Sequence, residues 1–343
     1  TALTRGGIPA DPSVQVTGIR HQARDRARGN SLPTAMGLLK HRAPPPEQVW
    51  SRHVTPVAPD LLIWGPKLMD TVELPLLQRF DYQGRTVAWG KMGAGAPLVM
   101  VHGTPFSSQV WRRIAPWIAQ DHTVYLFDLL GYGQSDMSGG DVSLGVQNNL
   151  LMALISEWAL DRPEVVAHDF GAATVLRAYY LNGFRPRRLT LIDPVAMRPW
   201  GSPFVTHVRQ YEAAFADLPA YAHTALLEAY LQTASHRGLP SDALAIYARP
   251  WMTALGQPAF YRQIAQMDQR YTDEIEPRYT GPLECDLTLI WGAQDQWIPL
   301  SIGQRLNGLL KPQRFIPAPG AGHLVQDDAP EAIVEALRTA VAK

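Results

Sequence analysis

Six short apolar runs recur along the chain: PLVMVH (97–102), HTVYLFD (122–128), PEVVAH (163–168), RLTLID (188–193), DLTLIWG (286–292) and QRFIPA (313–318). Each has strand length and is apolar almost throughout rather than at alternate positions, the pattern of a strand buried on both faces, as in a parallel sheet. Parallel neighbours cannot be joined by a tight turn and need a crossover, usually a helix. Helical patterns lie between or after the runs: SQVWRRIAPWIAQ (108–120), SLGVQNNLLMALISEWAL (143–160), AATVLRAYYLNG (172–183), SIGQRLNGLL (301–310) and PEAIVEALRTAVAK (330–343). The expected class is therefore α/β, a mostly parallel central sheet with helices on both faces. Ahead of these, RFDYQGRTVAWGKMG (79–93) reads as two strands around the turn Tyr82-Gln83-Gly84.

The rhythm breaks over residues 196–283, which are helical in pattern, rich in Tyr, Trp and Met, and free of short apolar runs. The expected layout is a core of residues 71–195 and 284–343 with a helical cap inserted at 196–283. Residues 1–70 differ again, with scattered prolines and, over 16–42, six Lys or Arg against the single acid Asp25. They are expected to form a poorly ordered extension, with LLIWGPKLM (61–69) packing onto the domain that follows.

Apolar residues make up 46% and charged residues 18% of the 343, and the formal net charge is zero. That balance suits an enzyme with a large core and gives no electrostatic reason to expect nucleic acid or an anionic membrane as partner. Cys285 is the sole cysteine, so no intramolecular disulfide can form, and no Cys/His spacing suggests zinc. Its apolar context (LECDLTLIW) marks it as a core residue. No apolar stretch approaches the roughly 20 residues of a membrane span, and the expected location is the cytoplasm. GAGAPL (93–98) and GYGQSD (131–136) begin as dinucleotide fingerprints but lack the third glycine and the helix that should follow.

The segment VVAHDFGAAT (165–174) carries the chemistry. A strand runs into a tight turn flanked by small residues and then a helix, the form of a nucleophile elbow. Its apex is Asp169. An isolated Asp at such a place is equally a helix N-cap, but its surroundings point to catalysis. In VHGTP (101–105), Gly103 permits a close turn after a strand, so the amides of Thr104 and Phe170 can form a two-donor oxyanion hole. Asp295 lies just past another strand end in LIWGAQDQWIP, where a carboxylate can orient a histidine. His323 lies in the Gly-rich loop PGAGHLVQDDAP before the last helix. The order nucleophile, acid, histidine is that of serine hydrolases with the serine replaced. Asp193, in LIDPVAM, also follows a strand end and is the alternative acid. Asp327 and Asp328 are expected at the surface or a helix start.

From about residue 75 onward the chain resembles the α/β-hydrolase fold, and within it the aspartate-nucleophile branch of epoxide hydrolases and haloalkane dehalogenases. The resemblance rests on HGTP (102–105, with His102, Gly103 and Pro105), DLLGYGQSD (128–136), HDFG (168–171, with His168), WGAQD (291–295) and GAGH (320–323). It implies an alkyl-enzyme ester on Asp169, hydrolysed by water that His323 activates while Asp295 orients the imidazole. No metal or organic cofactor is implied, and the expected partners are a small to medium apolar substrate and water. A carboxylate suits this chemistry because its ester with an sp³ carbon is hydrolysable, whereas a serine ether would be a dead end.

The leaving group divides the resemblance. Dehalogenases of this branch hold the halide with an Asn after HG and a Trp after the nucleophile, where this chain has Thr104 and Phe170. A halide would need other donors, such as Trp200 or Trp251. Fluoroacetate-type enzymes carry arginines beside the nucleophile, and FGAAT has none. Epoxide hydrolases use cap tyrosines as proton donors, for which Tyr261, Tyr211 and Tyr247 are candidates. Equally, tyrosines in a helical lid can simply line an apolar pocket. Epoxide hydrolysis leads, dehalogenation is the alternative, and a lyase or small-molecule receptor is the reading from another class. The filled triad positions favour an enzyme.

Overall fold

The computed structural model describes residues 73–339. The expectations for 1–70 lie outside the described residues. The first two strands, β1 (Gln78–Tyr82) and β2 (Arg85–Met92), form an antiparallel hairpin. Gln83 and Gly84 make its turn with φ of 56° and 80°, the doubly left-handed backbone that matches strand twist in a two-residue turn. Next come β3 (Ala96–Val101), α1 (Ala115–Ile118), β4 (His122–Phe127), α2 (Leu144–Glu157), β5 (Glu164–His168), α3 (Asp169–Leu181) and β6 (Arg188–Ile192). Five helices then follow without a strand: α4 (Pro203–Ala216), α5 (Ala220–Gln232), α6 (Ser241–Ala248), α7 (Gly256–Ala265) and α8 (Arg270–Asp273). The chain returns through β7 (Asp286–Gly292), α9 (Leu300–Leu310), β8 (Arg314–Ala318), α10 (Val325–Asp328) and α11 (Pro330–Arg338).

The eight strands form one sheet in the order β1-β2-β4-β3-β5-β6-β7-β8. β2 pairs antiparallel with β4, and every later pair is parallel. β5 is buried at every position, and β6 and β7 at all but their first, which is why their sequences read as continuous apolar runs. Register ties His168 to Ile192, Ile192 to Ile290 and Gly292 to Ala318. The carboxyl ends of the central strands therefore lie side by side, where open α/β sheets bind ligands.

One expected helix differs. Residues 108–120 hold a 3-10 turn (Ser108–Trp111) and the four-residue α1 instead of a continuous helix. Pro116 has no N–H to donate to the preceding turn, and Asp128 Oδ1 captures the Ser108 N–H at 2.8 Å.

The five-helix segment is tied to the sheet's neighbours by buried polar contacts. Tyr247 bonds both Arg112 and Asp327, and Arg112 Nη2 reaches Asp327 Oδ1 at 2.8 Å. Trp251 Nε1 donates to the Pro105 carbonyl at 2.8 Å. Asp328, expected at the surface or a helix start, is only 3% exposed. Its carboxylate accepts the Gly322 and His236 N–H groups at 2.8 Å each and the Ser235 hydroxyl at 2.6 Å, fastening the loop that carries His323 to the turn after α5. Asp327 likewise serves the Arg112–Tyr247 contact. Cys285 is half-buried, and burial pushes its thiol up to about 12, so it is unreactive. No helix of the described residues is long and apolar enough to cross a membrane.

Candidate active site

Asp169 is the first residue of α3, immediately after β5, and has φ 51°. A left-handed backbone in a non-glycine residue is uncommon and marks a turn the surrounding fold enforces. Two glycines make room for it. A Cβ on Gly171 would lie 2.3 Å from the His102 carbonyl oxygen, and one on Gly103 would lie 2.5 Å from Asp169 Cβ. The two buried imidazoles beside the turn are fixed in place. His102 Nε2 accepts the Leu129 N–H at 2.8 Å, which leaves Nδ1 to donate to the Gly103 carbonyl at 3.0 Å. His168, neutral because burial and neighbouring His323 push it down to about 3, donates from Nε2 to the His323 carbonyl at 2.9 Å.

The loops after β3, β5, β7 and β8 converge. The Thr104 N–H donates to Asp169 Oδ1 at 2.8 Å, and the neighbouring Phe170 N–H helps hold this carboxyl's pKa down. His323 Nε2 stands 3.3 Å from Asp169 Oδ2, and its Nδ1 is 2.8 Å from Asp295 Oδ2. Asp295 Oδ1 accepts the Trp297 and Ile298 N–H groups at 2.7 and 2.9 Å, which fixes its rotamer. Burial alone would lower the His323 pKa, but the charge on Asp295, the Nδ1 hydrogen bond to it and the Asp169 carboxylate at 3.3 Å outweigh it and hold it well above the ordinary value. Burial would raise Asp169, yet the His323 imidazole 3.3 Å away and its positive charge hold it below. The resting pair is thus an imidazolium between carboxylates.

Thr104 and Asp169 line a cavity together with Val195, Trp200, Val205, Tyr230, Met267 and Trp297. Its walls are mainly apolar. Trp297 stacks on His323 with centroids 4.9 Å apart and on Tyr230 at 4.7 Å.

The structure places the remaining expected residues elsewhere or in other roles. Tyr211 is 47% exposed, in a kink of α4 with φ −131° and ψ 34°. Tyr247 is held in the Arg112–Asp327 contact. The Tyr261 hydroxyl bonds His223 Nδ1 at 2.8 Å, and burial lifts its pKa to about 12. Trp200 lines the cavity, but its N–H donates to Thr272 at 2.9 Å, and that of Trp251 goes to Pro105. Asp193 is fully buried beside Asp295, with Oδ1 accepting the Gly292 N–H at 2.8 Å; Asp295, not Asp193, holds His323.

Two lining residues escaped the sequence reading. Tyr230 sits in α5 beside the buried stripe His223, Leu227, Leu231, so helical periodicity would have turned it inward. Trp297 lies two residues past Asp295 in a stretch read only for its acid. Gln263 of α7 was also missed: its Oε1 accepts the hydroxyls of Thr104 at 2.5 Å and Tyr132 at 2.9 Å. Among the described residues no group of three or more His, Cys, Asp or Glu is placed to hold a metal ion.

The sequence pattern of the alpha/beta hydrolase family matches residues 98–336. The chain belongs to that family. A crystal structure of an alpha/beta hydrolase fold protein from Burkholderia ambifaria is 57% identical, with TM-score 0.77, covering 78% of this chain and 99% of that one. Among curated proteins, the hydrolase is 26% identical to the 2-hydroxy-6-oxo-2,4-heptadienoate hydrolase of Pseudomonas putida, over 68% of this chain and 85% of the relative. The haloalkane dehalogenase DatA of Agrobacterium tumefaciens shares the fold at TM-score 0.64 and 21% identity, over 76% of this chain and 94% of its own.

Proposed function

We propose that this hydrolase opens small apolar epoxides through an ester on Asp169. The observation that carries this reading is the Tyr230 hydroxyl. It lines the same cavity as Asp169, and among the described residues it has no hydrogen-bond partner. Burial, and after it the Asp169 charge, push its pKa up, so it keeps its proton at neutral pH for the ring oxygen. The tryptophan N–H groups that would otherwise cradle a halide are spent: those of Trp200, Trp251 and Trp297 all donate within the protein.

The hydrogen bonds assign the two oxygens of Asp169. Oδ1 is held by the Thr104 amide, so Oδ2 attacks the less hindered ring carbon in line with the breaking C–O bond. The ring oxygen takes the Tyr230 proton as that bond opens. In the ester, Oδ1 is the carbonyl oxygen and already faces its amide donors. Once its own proton has passed to the Tyr230 phenolate, His323 removes a proton from water, the hydroxide adds to the Asp169 carbonyl carbon, and the amides stabilise the oxyanion, each donor contributing about 3–4 kcal/mol. Collapse releases the diol and restores the carboxylate. The five-helix segment acts as the cap that supplies Tyr230 and closes the site to bulk water.

The test is intact mass of a His323→Gln variant, which should form the ester but not hydrolyse it, incubated with small epoxides and haloalkanes. A gain equal to a whole epoxide supports the reading. A gain equal to an alkyl group without its halogen replaces it with dehalogenation. An epoxide adduct that persists after Asp169→Asn removes Asp169 as nucleophile.

A further inference from the structure

Two carboxyl groups end adjacent strands beside His323, and only one can hold a charge cheaply. Asp193 follows β6 and Asp295 follows β7. The Asp193 N–H donates to the Ile290 carbonyl at 3.1 Å, Asp193 Oδ1 accepts from Gly292, and the Asp295 N–H donates to the Gly292 carbonyl at 3.1 Å. These bonds set both residues against the Ile290–Gly292 strand end, side by side at the ends of β6 and β7. Asp193 is 0% and Asp295 7% exposed. Two carboxyl groups buried side by side do not readily both ionise, and one retains a proton.

The hydrogen bonds decide which one. Asp295 accepts from the Trp297 and Ile298 amides and from His323 Nδ1, three donors that favour its charged form. Asp193 accepts one, and its Oδ2 is buried with no partner. An unpartnered carboxylate oxygen there would be costly, whereas a hydroxyl turned toward Asp295 is satisfied. We propose that Asp193 is a positioning residue that stays protonated and donates a hydrogen bond to Asp295, so that the acid of the triad is a carboxylic acid–carboxylate pair carrying one negative charge. The groups facing it are Asp295 and His323, and burial with the Asp295 charge raises Asp193 in the same direction. The donated bond draws charge away from Asp295 and so moderates how firmly His323 holds its proton.

The test needs no substrate, so it stands apart from the epoxide reading. Infrared difference spectra at pH 7 of the full chain against Asp193→Asn should show one protonated carboxyl C=O band, shifted in D2O and lost in the variant. No such band overturns the proposal. A second measurement covers the case of poor folding in bulkier variants. Wild type should lose Tm relative to Asp193→Asn as pH rises from about 4, because the unfolded carboxyl ionises there and the native one does not. A gap moving the other way means Asp193 is ionised. His323 titrated by NMR should shift upward in Asp193→Leu and return toward wild type in Asp193→Asn, which keeps a donor. An unchanged or lowered His323 in the Leu variant removes the positioning role.

Discussion

Tyr230→Phe is the substitution that separates ring opening from everything else the site does. The ring keeps its stack on Trp297, and because the hydroxyl has no partner among the described residues, its loss strands none of their groups. Tm should therefore stay near that of wild type. The chemical effect should be large, since a positioned general acid contributes about 10²–10⁴ in rate, or roughly 3–5 kcal/mol at 1.36 kcal/mol per tenfold. The assay is the time course of ester formation by intact mass in a His323→Gln background, with and without Tyr230→Phe. Epoxide adducts should form about 10²–10⁴-fold more slowly, while any adduct from a haloalkane, whose leaving group needs no proton, should be unaffected. Tyr261→Phe is the control. Its hydroxyl is bound to buried His223, so that variant should lose about 1–3 kcal/mol of stability with little change in ester formation. Equal epoxide rates with and without the Tyr230 hydroxyl would refute the assignment.

Three further outcomes follow from the geometry. Asp295→Asn keeps an oxygen for the Trp297 and Ile298 amides but presents an amide to His323, so ester should accumulate and its hydrolysis slow by about 10⁴-fold, the penalty for a mis-set tautomer; single-turnover mass spectra check this. Gly171→Ala sets a methyl 2.3 and 2.6 Å from the His102 and Val101 carbonyl oxygens, backbone atoms that cannot swing aside, so a loss of at least about 1–3 kcal/mol should appear as a lowered Tm together with lost activity. The His323–Asp169 pair should also write itself into stability. Asp169, held low, stabilises above its unfolded value near 4, and His323, held high, stabilises below its unfolded value near 6.5. The Tm gap between wild type and His323→Gln should thus be widest between about pH 4 and 6.5, closing as pH falls through the native value of Asp169 and as it rises through that of His323.

The frame of this protein was legible because buried parallel strands write continuous apolar runs, and each run lies on an observed strand from β3 to β8. Asp169, Asp295 and His323 could be picked out because each follows a strand by a few residues, and strand ends converge whatever the loops do. The helical segment offered no such anchor. Tyr247 and Tyr261 were candidate proton donors of the cap, yet their hydroxyls go to Asp327 and His223, partners that no local pattern announces. Periodicity in α5 turns Tyr230 inward with His223, Leu227 and Leu231, but that this inner face meets the cavity depends on how five helices pack. The expected helix over 108–120 failed for a similar reason: Asp128, 20 residues away from Ser108 in sequence, takes an N–H near its start.

A charge count shows how the proposed reaction can close on itself. At rest the site holds the Asp169 carboxylate, the His323 imidazolium and the neutral Tyr230 phenol, the states their surroundings favour. Ring opening neutralises Asp169 as an ester and leaves Tyr230 as phenolate. Esterification thereby removes one of the two carboxylates that kept the proton on His323, just as a strong base appears across Trp297, which stacks on both rings. Net transfer of that proton restores the phenol and frees His323 as the base for water, and hydrolysis returns every group to its starting state with no exchange with solvent. Without His323 the phenolate has no internal donor. His323→Gln should therefore take up one proton from solvent for each epoxide ester formed, read with a pH-indicator dye in weak buffer, while a haloalkane ester should take up none. Ester formation from an epoxide without proton uptake would mean that the ring oxygen is protonated from a source other than Tyr230.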